Sequence, residues 1–216
     1  AEAIGSRVCE AAWNKGAKVV LLPTIPYGTE TNQSEFRLSM NLNPSTLGFV
    51  IQDLVESLEN HGIRKLLILN SHGGNEFKPL LRELHGTTSV QLFLCDWFRS
   101  LTADVKKTIF EEADDHAGEV ETSLALAYFG HLVHRNADGT LIADDGRTAS
   151  ARFDAVNQGW VSITRPWHLL TTNTGAGNPH AATKEKGELL MHTMVERLSQ
   201  FLADLANSEL NDQFPF

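Results

Sequence analysis

Short, wholly apolar runs set between amphipathic helical patterns leave this chain few folds to adopt. Val19-Val20-Leu21-Leu22 and Leu66-Leu67-Ile68-Leu69 show no polar and apolar alternation. The strands they predict, residues 18–23 and 66–70, must therefore be covered on both faces, the condition of a parallel sheet flanked by helices. Between them, Asn43-Pro44-Ser45 offers a cap residue and a first-turn proline, and Leu47, Val50, Ile51, Leu54, Val55 and Leu58 recur at helical spacing until His61-Gly62. Residues 76–85 predict the next helix and residues 90–94 a third strand ending near Asp96-Trp97. Ala3, Ile4, Val8, Ala11 and Ala12 mark a helix at the front, and residues 182–205 a long one at the end. This order predicts an α/β fold of right-handed βα units. Residues 27–43 read as a long loop with a short extended piece at 38–42, residues 160–170 as extended, and Trp160 and Trp167 as core-packing aromatics.

At 216 residues with 42% hydrophobic content, the chain can bury a core as one domain, 1–216. Its net charge of -9 and pI near 5.4 argue against nucleic acid or an anionic membrane surface as a partner and favour a small molecule. No apolar stretch approaches the roughly 18 residues of a membrane helix, and no signal peptide is recognisable. Cys9 and Cys95 carry no motif and suit a reducing cytoplasm.

Two segments carry chemistry. Asn70-Ser71-His72-Gly73-Gly74-Asn75 follows a predicted strand, so His72 falls where open parallel sheets bind ligands. Gly73 and Gly74 predict a sharp turn and close approach to a bound group, with Asn70 and Asn75 bracing the imidazole. In the second, Asp114 to Glu121, one histidine and four carboxylates crowd a helix start, where unpaired amides and the dipole favour anions. Glu119 and Asp114 fit a solvated acidic face. Glu121, if it points inward with Leu124 and Ala125, needs a cation. His72 and Glu121 offer the nitrogen and oxygen donors that suit Zn or Mn, two ligands where a catalytic site uses three.

With Leu22-Pro23-Thr24-Ile25-Pro26-Tyr27-Gly28, those two segments, and Ala182-Thr183-Lys184-Glu185-Lys186-Gly187-Glu188 in order, the chain resembles the creatininase (creatinine amidohydrolase) family over nearly its whole length. The resemblance implies a three-layer α/β/α sandwich around a mostly parallel sheet, a centre of two divalent ions, Zn or Mn, and a homo-oligomer, a hexamer. It implies that His72 and Glu121 are metal ligands and that His116 passes a proton to the leaving nitrogen, with Asp114 or Asp115 orienting it. The family's first strand and first metal motif, a Glu, a His and an Asp, precede the helix at Ala1 and are missing from these 216 residues. Glu30, Asn32 and Asn41 follow the family's second strand and do not inherit those roles.

Gly73-Gly74 replaces the larger Tyr and Glu of creatininase, and Trp97 is the aromatic left near a strand end. Gly73 and Trp97 are thus the expected substrate contacts, with Asn70, Gly74, Asn75 and Asp115 in support. This departure argues against creatinine and leaves a cyclic amide or formamide of another small molecule, cleaved by metal-activated water. Two rivals stand beside this reading: a metal-free pseudoenzyme or small-molecule binding protein of the same fold, and a nucleotide module holding phosphate at Gly73-Gly74. The latter lacks a Walker lysine and a complete Gly-x-Gly-x-x-Gly.

Overall fold

A computed structural model describes residues 1–111 and 115–216. Its elements run α1 (Glu2–Asn14), α2 (Pro44–Asn60), β1 (Lys65–Asn70), α3 (Lys78–Leu84), β2 (Gln91–Asp96), α4 (Ala103–Ile109), α5 (Glu119–Tyr128), α6 (Asp154–Asn157), α7 (Trp167–Leu170) and α8 (Lys184–Asn207). The predicted helices at 44–60, 76–85 and 182–205 and the strands at 66–70 and 90–94 are all present within a few residues. The chain forms two compact units: Ala1–Pro26 with Gly48–Ala103 and Met191–Phe216, and Tyr27–Leu47 with Asp104–Leu190.

In the first unit β1 and β2 pair in parallel, from Lys65 beside Gln91 to Asn70 beside Asp96. The apolar stripe of α1 is buried through Ile4, Val8 and Ala12. Ala12, Ala17 and Ala203 form one small-residue cluster with Val19 and Leu202 against it, and short side chains let α1 and the end of α8 approach closely. Phe93 of β2 meets Phe201 of α8 edge-on, with centroids 5.5 Å apart. Lys65 donates its ammonium to the Leu205 carbonyl at 2.6 Å and to Ser208, so the first residue of β1 satisfies carbonyls at the negative end of α8.

Three expectations fail for local reasons. Residues 18–23 form no strand: the Val19 carbonyl accepts the Trp13 Nε1–H at 2.7 Å instead of a ladder bond, Leu21 packs toward Gly5, and Val20 is exposed. Residues 38–42 form no strand. Leu38 is left-handed at φ 64, and the loop closes on itself through Leu42 N–H to Gly28 O and Glu30 N–H to the Asn41 side chain. Residues 160–170 contain α7, because Pro166, with φ fixed at -72, starts a turn that the Leu170 N–H closes at 3.0 Å. Trp160 is exposed rather than core, whereas Trp167 is buried.

In the second unit α5 buries Glu119, Val120, Ser123 and Leu126. The start of α8 packs on it at a distance only glycine permits: a Cβ on Gly187 would lie 2.0 Å from the Ser123 carbonyl oxygen. Ser123 Oγ also accepts the Thr183 N–H at 3.2 Å, and Thr183 Oγ1 accepts the Lys186 N–H, which caps α8. Among the described residues no helix is long and apolar enough to cross a membrane.

Candidate functional site

In the first unit, β1 ends on Asn70, which is 3% exposed and organises the loop after it. Its Nδ2 donates to Asp96 Oδ1 at 2.7 Å, tying the ends of the two strands together. Its Oδ1 accepts both the His72 N–H and the Asn75 Nδ2–H at 3.1 Å. The Asn75 N–H reaches the His72 carbonyl at 3.2 Å. Each polar atom of this buried amide is thereby engaged, as burial requires, and His72 is held at the carboxyl end of β1, where the sequence placed it. Trp97, 5% exposed, donates its Nε1–H to Ser71 Oγ at 3.0 Å, and Asp96 also faces Arg99 at 3.5 Å.

Gly73 does not use the freedom expected of it. Its φ lies outside the left-handed region and a Cβ there would meet nothing within 4 Å, so the Asn70 side chain, not glycine geometry, makes the turn. Nor do Gly73 and Gly74 open a helix, since α3 starts only at Lys78. That removes the phosphate-binding arrangement. Burial and the neighbouring Asp96 carboxylate push the Cys95 thiol up to about 11, which argues against a nucleophilic thiolate.

In the second unit His116 lies just before α5. Its backbone exchanges hydrogen bonds with Ala176: the His116 N–H reaches Ala176 O at 3.2 Å and the Ala176 N–H returns to His116 O at 2.7 Å. Ala117, next in line, has φ 51, a left-handed conformation uncommon for a residue with a Cβ. The Glu121 carboxylate holds it there, accepting the Ala117 N–H at 2.6 Å. The same oxygen stands 3.6 Å from His116 Nδ1. The imidazole also packs edge-to-face on Trp167 at 5.4 Å, while the Arg165 guanidinium covers that indole at 5.6 Å and binds Asp115 at 2.7 Å.

This arrangement changes two expectations. Glu121 is not turned inward; its side chain is about half exposed. The buried acid is Glu119, at 1%, and its Oε2 accepts the Glu111 N–H at 2.8 Å while its Oε1 meets the Lys186 ammonium. A shift of two positions on a helix decides which of two nearby acids faces in, and the inward face runs through residues 119, 120, 123 and 126. Asp115 does not orient His116, because Arg165 takes its carboxylate; Glu121 is the acid beside the ring. Asp114 lies outside the described residues. Sequence spacing does not reveal the partnership of Glu119 with Lys186, 67 residues away, and the Lys186-Gly187 pair is its one signal. The Glu119 hydrogen bond, then the charges of Glu119 and Glu111, push the Lys186 ammonium above its usual range.

His72 and Glu121 supply imidazole and carboxylate donors, but among the described residues no three His, Cys, Asp or Glu side chains gather to hold an ion.

Comparison with known proteins identifies the frame that carries these groups. The sequence profile of the family described as Creatininase, creatinine amidohydrolase, matches residues 1–202. Creatinine amidohydrolase of Pseudomonas putida is 25% identical over 205 residues, 86% of this chain and 74% of that one. A crystal structure from Bacteroides fragilis, assigned as a creatinine amidohydrolase, superposes with a TM-score of 0.88 at 33% identity, covering 97% of this chain and 81% of its own. A mutant creatininase in a Zn-Zn form shares the fold at a TM-score of 0.66 and 22% identity, over 95% of this chain and 83% of its own. The α/β frame is that of these proteins, and with a profile match over most of its length the chain belongs to the creatininase family.

Proposed function

We propose that this protein is a metal-dependent amidohydrolase that cleaves a non-peptide C–N bond, in a cyclic amide or formamide of a small molecule. The observation that carries the reading is the setting of His116: its backbone is paired to Ala176, its ring packs on Trp167, and its Nδ1 stands 3.6 Å from a carboxylate. A carboxylate at Nδ1 favours the tautomer that leaves Nε2 for a substrate, the arrangement proton transfer needs. In this reading His116 takes a proton at Nε2 from the attacking water and passes it to the nitrogen as the C–N bond breaks. His72 is a metal ligand of the first unit in this reading, and Glu121 one of the second. A divalent ion, Zn or Mn, supplies an activated water when bound.

Gly73 leaves open space for a ligand to approach beside His72. Trp97, 5% exposed and with its N–H engaged by Ser71, backs the His72 loop and presents little surface to a substrate, which weakens its expected role as a substrate contact. Asn70 and Asn75 support the His72 loop together with Gly74, and Asp115 supports the His116 segment through Arg165. The neighbour in a Zn-Zn form favours zinc and a pair of ions. The two free cysteines suit a reducing cytoplasm, and family membership favours a homo-oligomer, a hexamer. A second reading, a metal-free small-molecule binder, is favoured by one observation, the lack of a three-ligand cluster among the described residues.

Elemental analysis of the purified protein, with release of amine or formate from a panel of lactams and formamides, decides between them. The enzyme reading expects Zn or Mn that is lost in His72→Ala and Glu121→Ala, and activity that falls by about 10² or more in His116→Ala while metal is retained. Metal-free, inactive protein that still binds members of the panel would establish the binder.

A further inference from the structure

Three side chains from two distant stretches of sequence close a circuit with His116. Asp115, its chain neighbour, binds Arg165 at 2.7 Å; Arg165 lies over the Trp167 indole at 5.6 Å; and Trp167 returns to His116 at 5.4 Å with the rings 84° apart. Trp167 is the fixed member. It is 4% exposed, its carbonyl accepts the Thr171 hydroxyl at 2.9 Å, and Thr171 Oγ1 in turn receives the Thr174 N–H. His116 is the member in need of fixing: its side chain is 41% exposed, so solvent leaves it room to turn about χ1 and χ2 unless neighbours restrain it. Its carboxylate neighbour Glu121 is itself half exposed, and so a soft restraint. The rigid wall is the indole.

We propose that Trp167, held in place by Arg165, is the positioning residue that sets the ring orientation of His116. The proposal deepens the reading of His116 as proton donor and rests on it. A group that transfers a proton must be aimed at its acceptor within a few tenths of an ångström, and an error of about 1 Å can cost about 10²-fold in rate. Trp167 touches no reacting atom in this scheme, so its removal acts on kcat rather than on substrate affinity. Phenylalanine keeps a ring edge or face for the imidazole, whereas leucine does not.

The test uses the full chain with ¹³C,¹⁵N-labelled histidine and pairs side-chain couplings of His116 with steady-state kinetics on the best amide of the panel. In the wild type His116 occupies one χ1 rotamer. Trp167→Leu averages it and lowers kcat about tenfold or more with KM within twofold; Trp167→Phe restores both. Arg165→Gln, a change at a half-exposed residue, loosens the ring and lowers kcat by about threefold, which keeps the test decisive should Trp167→Leu fail to fold. A single His116 rotamer in the leucine or glutamine variant, or unchanged kcat beside an averaged ring, overturns the proposal. Should the wild type hydrolyse nothing, the amidohydrolase reading fails, and the couplings alone decide whether Trp167 holds the ring.

Discussion

Replacing Lys186 with methionine leaves the Glu119 carboxylate buried at 1% exposure with the Glu111 N–H as its remaining hydrogen bond. A buried charge stripped of its partner costs about 3–5 kcal/mol. The reverse change is milder. In Glu119→Gln the ammonium keeps the Ala181 carbonyl at 2.9 Å, the Glu111 carboxylate at 3.6 Å and some solvent, so about 1–3 kcal/mol is expected. At roughly 2–4 °C per kcal/mol for a chain of this size, Lys186→Met lowers Tm by about 6–20 °C. pH sharpens the test. In the wild type the pair raises the Lys186 pKa, so its contribution is complete below the ordinary lysine range and is lost as pH rises through the folded value. Lys186→Met removes that contribution, so its deficit against the wild type is full at neutral pH and narrows as pH rises through the raised lysine value. Urea denaturation at pH 7 and pH 11 measures this directly. Equal, small losses in both single variants, with a deficit in the lysine variant that does not change with pH, would refute the claim that Glu119 is a buried ion.

Glycine gives the second and third tests. Gly187→Ala puts a methyl 2.0 Å from the Ser123 carbonyl oxygen, so α8 must move off α5; the roughly 1 kcal/mol gained in helix propensity is outweighed and net destabilisation of about 2 kcal/mol is expected. Gly48→Ala, in α2 with Leu80 Cδ1 at a comfortable 3.7 Å, carries the same propensity gain without the clash and should stabilise by up to about 1 kcal/mol, so thermal shifts of opposite sign check the packing argument. Gly73→Ala should leave stability within about 0.5 kcal/mol, because its Cβ meets open space. A rise in KM with unchanged Tm then marks that space as substrate-occupied, and unchanged kinetics would remove Gly73 from the substrate contacts.

What was legible and what was not divide along a physical line. Helical periodicity located α2 and α8, and apolar runs located β1 and β2. The run at 18–23 shares that composition but no ladder, since apolar content signals a covered segment and says nothing of who accepts its hydrogen bonds; there an indole takes the Val19 carbonyl. Short acidic stretches are harder still. Glu119 and Glu121 differ by two positions, which on a helix turns the side chain about 200° around the axis, and no spacing rule chooses between them without knowing where the basic partner lies. That partner is 67 residues away, at Lys186. The setting of His116 had the same character: Trp167 and Arg165 are remote in sequence and unremarkable in composition, and only a turn begun at Pro166 brings the indole to the imidazole. The segment around His72 was readable because its partners are local. Asn70 organises its own loop within five residues, so the strand end, the buried amide and the presented histidine follow from one short stretch of chain.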